Sequence, residues 1–454
     1  MNDVWLFLPD GLTIRMFFES GIVEGLHERL GDRLVVVLPN RDEGADWAPR
    51  VRGRVLYRTD LVPVEVGTRE RVVRRVDRLL DRQLGYYPLA MRFNRRHDFH
   101  AERMAPGHPN WMLDSNRDSF LPHWDSLEHA MERWHFGTHR YVPHELYRRM
   151  QSECGALVLS NVQPHAAVPF LVGARRLGIP TVGHVASWDH TVGKGVIAPF
   201  CDVYVVQNEA MREDLARFHG IDSERVVVTG WPQTDFYARK RPRAAYESLL
   251  GTFGLDPARP LVAVMGNTPS NTPFEDRFVE RMVDWWKSSG EGRPSLLFRP
   301  HPRDREWQER FRAALDTDGI AVQEASFTDF EELATLLQHC ACVVANAGTI
   351  LLDALVNDRP AVCVLYDEGA PTGESYAMKN VVGEHYRELA ASSAFYRAES
   401  FEGVVEGIGR ALANPHELGE ERSRVARTVV GDVDGRAGSR VVDAIATCVL
   451  KAPT

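Results

Sequence analysis

No stretch of the chain approaches the roughly 18 consecutive apolar residues that a membrane-spanning helix needs. The first run, "MNDVWLFLPDG", holds about six apolar residues between Asp3 and Asp10, too short and wrongly flanked for a secretory leader. Basic charge is in deficit too: 54 Lys and Arg against 63 Asp and Glu leave a formal net charge of -9. A protein that wraps nucleic acid needs a concentrated positive surface, so a nucleic-acid partner is not expected. Cysteine is scarce. The six, at 154, 201, 340, 342, 363 and 448, lie mostly inside apolar runs and form no Cys-x-x-Cys pair. They read as buried thiols of a reducing cytosol. Metal motifs are equally thin. "DTD" (316 to 318) and "DVD" (432 to 434) look like solvated turns. His135 and His139 are four apart, but Gly137 intervenes and no glutamate follows the first histidine, which argues against a zinc helix. Neither an essential metal nor a cofactor is expected.

What the chain does have is a long series of short, β-branched apolar runs spaced to leave room for a helix between them, the mark of parallel βαβ units. The first series lies at 4 to 9, 34 to 39, 54 to 58, 156 to 160, 180 to 185, 203 to 207 and 225 to 230. The second lies at 261 to 266, 295 to 300, 320 to 323, 342 to 348 and 361 to 366. Most runs are nearly continuous in apolar residues, as strands covered on both faces should be. Between the series, "ARKRPRAAYESLLGTFGLDPARP" (238 to 260) clusters charge, proline and glycine and reads as a linker. A chain of 454 residues is also too long for one core. The expectation is α/β: two facing doubly wound domains, residues 1 to 240 for an acceptor and 241 to 420 for a nucleotide donor. The helical pattern of "SRVVDAIATCVL" within 421 to 454 is expected to cross back to the first domain. Residues 84 to 150 break the alternation with helical spacing, many aromatics and eight of the seventeen histidines, and read as a helical insertion.

Three strand ends of the second series carry unusual chemistry. "VMGNTPSNTPFE" offers Asn267 and Thr268 in a polar loop expected to cap a helix near Phe274. "LLFRPHPRDREW" ends a strand on Arg299 and His301, each followed by a proline. Proline lacks an amide hydrogen and fixes φ, so the ladder stops and both residues are held extended. "ANAGTILLDAL" opens a helix at Gly348 and Thr349 after Asn346. Unpaired amides and the helix dipole suit an anion there, and Gly348 would let a phosphate approach the backbone. Arg299 could add a forked pair of hydrogen bonds and His301 a single donor. Asp353, one turn along, could accept from a ribose diol. These residues are the candidate site for a nucleotide, with its diphosphate or a nucleoside monophosphate leaving group held there.

The layout resembles the GT-B superfamily of glycosyltransferases, two Rossmann-like domains with a "G-T" helix start and an acid four residues on, here Gly348, Thr349 and Asp353. More narrowly, "RPHP" is similar to the phosphate-binding "HP" motif of the CDP-glycerol glycerophosphotransferases and of some bacterial capsule enzymes. "HVASWDHTVGKG" (184 to 195) looks like the end of the first domain in bacterial surface-polysaccharide transferases, through Ser187, Trp188, Asp189, Lys194 and Gly195. The resemblance covers about residues 155 to 415. It implies a cytoplasmic, metal-independent GT-B transferase, with inversion expected. A glycosyl or glycerophosphoryl group would pass from a nucleotide sugar or CDP-activated donor to the hydroxyl of a glycan or lipid-linked acceptor. The general base would sit at a strand end of the first domain, where Asp189, Asp10 and His184 are the candidates. The basic aromatic segment from Phe93 to His100 is a candidate for peripheral contact with a lipid-linked acceptor at a membrane surface.

Two other readings compete. A non-hydrolysing nucleotide-sugar 2-epimerase resembles the same layout, but its first domain usually carries a glutamate motif that "HVASWDH" lacks. A non-catalytic, hinged nucleotide-sugar-binding protein would use the same two domains, but the exported kind needs a leader segment.

Overall fold

The computed structural model describes residues 3–62, 142–163, 166–193, 197, 199–326, 329–371, 376–381 and 384–451. Most of the helical insertion expected at 84 to 150, including His135, His139 and the segment Phe93 to His100, lies outside the described residues, as do Lys194 and Gly195. The chain divides into two compact units. One runs from the N-terminus to Asp235 and resumes at Gly431, and the other is built chiefly from Phe236–Val430.

Unit 1 holds seven parallel strands: β1 (Asp3–Phe7), β2 (Leu34–Leu38), β3 (Arg54–Tyr57), β4 (Cys154–Leu159), β5 (Thr181–His184), β6 (Val203–Val206) and β7 (Val226–Val228). Their order across the sheet is β3-β2-β1-β4-β5-β6-β7. Unit 2 holds six: β8 (Leu261–Met265), β9 (Ser295–Arg299), β10 (Ile320–Val322), β11 (Cys342–Asn346), β12 (Ala361–Val364) and β13 (Tyr396–Ala398), in the order β10-β9-β8-β11-β12-β13. Every pairing is parallel. Helices cover both faces, so strands such as β2 and β8 are buried at every position. A Val or Leu buried in this way contributes about 1.5–3 kcal/mol, which is why the runs are apolar throughout rather than alternating.

All twelve strands expected from the apolar runs are present. The thirteenth, β13, has three residues at a sheet edge with only alternate positions buried, too short and too polar to stand out. The stretch read as a linker belongs to unit 2 and is packed. Its Arg241 is buried, with both arms of the guanidinium on Glu331 at 3.0 Å. Because an arginine looks solvated in sequence, only its carboxylate partner, 90 residues away, gives it away.

The C-terminal helix Ala437–Lys451 is part of unit 1. Asp235 fixes its start by accepting from the amides of Ala437 (3.0 Å) and Gly438 (2.6 Å). Burial pushes this carboxyl above its ordinary value, while the two amides pull the other way. Further along, the helix lies so close to the helix Ile22–Leu30 that a Cβ on Gly25 would stand 3.0 Å from Val442. All six cysteines are free thiols, five of them buried. Among the described residues no helix is long and apolar enough to cross a membrane.

Both sheets share one topological consequence. The chain leaves β1 in one direction and returns at β4 in the other, and likewise at β8 and β11. In doubly wound sheets the space beyond the carboxyl ends at such a reversal is where ligands bind.

Candidate active site

In unit 2 the reversal lies between β8 and β11, and β9 is the other neighbour of β8. The three polar strand ends singled out above are therefore adjacent. Gly266, directly after β8, donates its amide to the Arg299 carbonyl at 2.8 Å. A Cβ there would stand 3.1 Å from the Pro300 Cα and 3.0 Å from Phe311, so any larger residue would make the two turns give way by a few tenths of an ångström.

The segment after Gly266 folds on itself. The Thr268 carbonyl accepts from the amides of Asn271 (2.9 Å) and Thr272 (3.0 Å), and the Asn267 side chain accepts from the Thr268 amide (2.8 Å). It does not cap the following helix, Glu275–Ser288, as the sequence led one to expect. Phe274 occupies the cap position without a side-chain bond, and the hydroxyls and amides of the loop are turned to one another. The tie to the helix runs backwards instead: Glu275 accepts from the Asn267 amide at 2.9 Å.

His301 is half-buried, and its Nδ1 accepts from the Arg303 amide at 3.0 Å. Burial, aided by Arg303, holds its pKa down to about 4, so the ring is neutral at pH 7. With Nδ1 used as an acceptor, the single proton resides on Nε2, which makes the side chain a one-hydrogen donor. Arg299 departs from the forked pose expected of it. It is buried, with Nη2 on Asp329 at 2.7 Å, while Nη1 has no protein partner. One arm of the fork is thus committed within the protein.

At the end of β11 the Asn346 side chain donates to the Val364 carbonyl of β12 at 3.2 Å. Gly348 stands at the N-cap of the helix Thr349–Val356, whose start has no side-chain cap. Its φ of -172° is extended backbone, and a Cβ would meet only the Asn346 carbonyl, at 3.8 Å. Neither conformation nor packing within the protein requires glycine here. Thr349 is exposed at the first turn. Asp353 is buried at 4% exposure inside the helix, and its carbonyl receives the Asn357 side chain at 2.8 Å. Beside Asn346 a shallow recess of about 20 Å³, open to solvent, is walled by Phe274, Phe278, Tyr366, Asp367 and Glu368.

Sequence reasoning missed a buried charge cluster behind the loop. The Arg310 guanidinium, 9% exposed, pairs with Asp304 and with Glu275 (2.9 Å). One arginine serves two acids, and burial pushes the Glu275 carboxyl up to about 8 in spite of Arg310. No signal in "RDREWQER" separates these residues from an ordinary charged surface.

The candidate bases lie in unit 1. Asp10, after β1, caps the helix Gly11–Glu19 by accepting from the Thr13 amide at 3.0 Å. His184, the last residue of β5, is 1% exposed, sits edge-on against Phe17 and bonds the Ser160 carbonyl through Nδ1 at 2.9 Å. Its Nε2 has no protein partner, and burial lowers its pKa to about 4. Asp189 accepts a 2.6 Å bond from the Ser187 hydroxyl. Of the two acidic turns, "DVD" places Asp434 in a salt bridge with Arg440, and "DTD" leads into β10. Among the described residues no three His, Cys, Asp or Glu side chains gather as a metal-binding group.

Comparison with known proteins adds the following. The UDP-GlcNAc 2-epimerase of Neisseria meningitidis bound to UDP-GlcNAc superposes with a TM-score of 0.56 at 9% identity, covering 98% of this chain and 99% of that one. The UDP-GlcNAc 2-epimerase of Methanocaldococcus jannaschii gives 0.55 at 11% identity over 98% of both chains. A glycosyltransferase from Rickettsia africae gives 0.50 at 8% identity over 100% of this chain and 99% of that one. At such identities the likeness is one of fold, the GT-B-like pair of Rossmann-like units. A search of curated protein sequences found no match. Residues 194–447, more than half of the chain, match the family described as CDP-glycerol:poly(glycerophosphate) glycerophosphotransferase, and the chain belongs to that family.

Proposed function

We propose that the protein transfers a glycerophosphoryl group from a CDP-activated donor to the terminal hydroxyl of a glycerophosphate polymer or a related surface-glycan acceptor. The observation that carries this reading is that two elements suited to an anion stand at the carboxyl ends of β9 and β11, the two strands that flank β8 in unit 2. One is a histidine locked as an Nε2–H donor. The other is a helix start whose N-cap glycine has no steric reason within the protein. The family match supplies the donor class.

In the proposed step the acceptor oxygen attacks the phosphorus that bears glycerol. The bond from that phosphorus to the bridging oxygen breaks, and CMP leaves with the electron pair. Negative charge grows on the leaving phosphate, where the His301 donor and the amides at Gly348 and Thr349 would stabilise it. Asn267 and Thr268, directly after β8, would stand between these two elements, and the shallow aromatic recess beside Asn346 would offer the nucleoside half Phe274 and Tyr366. Asp353, being buried, would meet a ribose only after a rearrangement of its helix start. The acceptor's proton must go to a base. Of the three candidates, Asp189 and His184 fit better than Asp10, whose carboxylate is engaged as a helix cap.

The test has two stages. Equilibrium binding of CMP, CDP, UDP and GDP should favour the cytidine nucleotides, and CDP-glycerol with a glycerophosphate polymer should release CMP in proportion to polymer growth. Cytidine nucleotides that bind no better than the others, or epimerisation of a UDP-sugar without acceptor, would overturn the proposal.

A further inference from the structure

Arg310 lies outside the polar strand-end motifs, yet it contacts two of them, the segment after β8 and the turn after β9. It follows the "RPHP" turn by eight residues and points back beneath it, 9% exposed. One nitrogen pairs with Asp304 in the turn after β9 and lies 3.4 Å from the Asn267 carbonyl. The other takes Glu275 at 2.9 Å, the Thr272 carbonyl and, at 3.3 Å, the Thr272 hydroxyl. We propose that Arg310 is a positioning residue for donor binding, a clamp that holds the loop after β8 against the turn that carries His301. The proposal rests on the functional reading above, because it gives the clamp a donor to serve.

The geometry demands arginine. Only a planar fork with five donors can meet two carboxylates, two carbonyls and a hydroxyl at once, whereas a lysine ammonium offers three donors from a single point. The clamp is also sensitive to charge. Around Glu275 stand Arg310, Asp304, Asp276 and the Asn267 amide. While Glu275 keeps its proton, the Arg310–Asp304–Glu275 cluster is neutral. When it ionises, a net negative charge arises directly behind the loop proposed to face a phosphate. Burial places that ionisation at about pH 8.

Two variants test this. Arg310→Lys should stay folded, bind CMP at least tenfold more weakly and exchange the amides of 267 to 272 at least tenfold faster, with unit 1 exchange unchanged. Wild-type CMP affinity and wild-type exchange in folded Arg310→Lys would overturn the proposal. Should that variant fail to fold, Glu275→Gln decides. It should bind CMP as the wild type does at pH 6.5 and lack the several-fold loss of affinity that the wild type shows above pH 8. Identical pH profiles would overturn the clamp. A wild-type protein that binds no CMP at all refutes the functional reading instead, and the exchange measurement still reads the clamp without any ligand.

Discussion

Glu275→Gln has a consequence for folding that does not depend on any ligand. Glu275 is 7% exposed, in the first turn of its helix, with one oxygen on the Asn267 amide and the other facing Arg310. Its ordinary value is 4.5, and burial raises it to about 8 in the folded protein. Between those two values the folded protein holds a proton at this position that the unfolded chain has released. Stability must therefore fall as pH rises, by at most about 1.4 kcal/mol per pH unit. The contribution is complete below pH 4.5 and gone above about 8. The whole shift amounts to between about 3 and 5 kcal/mol, the lower figure allowing for relaxation around the charge.

Glutamine keeps the size and an acceptor for Asn267 but cannot titrate. Urea denaturation of both proteins at intervals from pH 4 to 9 isolates the effect, since every other group titrates alike in the two. Any constant offset from the altered contact with Arg310 cancels in the pH dependence. The wild type should lose several kcal/mol relative to Glu275→Gln between pH 5 and 8, with flat limbs outside that range. A difference that stays constant across the range would refute the reasoning, because it would mean that Arg310 outweighs burial and the carboxyl is ionised throughout.

Three further outcomes are expected. Gly348→Ala adds a Cβ in an allowed extended conformation, where the entropy gained over glycine is offset by alanine's poorer fit at an N-cap, so calorimetric stability should change by no more than about 1 kcal/mol, while CMP affinity drops tenfold or more; unchanged affinity would leave the glycine without a role. Replacing Pro300 and Pro302 with alanine removes no contact group but frees the turn, and CMP binding should weaken about three- to tenfold by titration calorimetry; equal affinity would return "RPHP" to an ordinary turn. Asp10→Ala should cost about 1 kcal/mol through loss of the cap, and Asp10→Asn only a fraction of that, as read from urea midpoints; equal losses would show that the cap is not what Asp10 supplies.

The sheets were legible because parallel strands buried on both faces must be apolar at every position, and β2 "LVVVL" or β8 "LVAVM" has no other reading. β13 was not, since an edge strand with one exposed face loses that mark. The polar strand ends could be located for the same reason: a charge or a glycine that interrupts a buried run stands at its carboxyl end. Which ends are neighbours follows from the crossover order, and a doubly wound sheet puts its second strand beside its first. Pairings across the fold were illegible. Arg299 finds Asp329 thirty residues on, and Arg310 finds Glu275 on the preceding helix. In sequence each is one charge among many, and only burial turns it into a structural element.

The two ties between the turns after β8 and β9 differ in kind, and the difference bears on function. Gly266 and Arg299 join backbone to backbone at 2.8 Å, packed so tightly that a Cβ on Gly266 would stand only 3.1 Å from the Pro300 Cα. Arg310 joins the same turns through side-chain charge, a link that pH can weaken while the backbone link stands. His301 belongs to the first tie by its neighbour Pro300 and to the second by Asp304, whose amide bonds the His301 carbonyl at 2.8 Å. A donor phosphate meeting His301 would thus find its partner already ordered, and little conformational entropy would be lost on binding. The loop at Asn267 and Thr268 depends more on Arg310, through Asn267 and Thr272, and more of its order is open to adjustment. Rigid recognition of phosphate beside a tunable loop is what a transferase needs if it must hold its donor firmly and release a nucleotide afterwards.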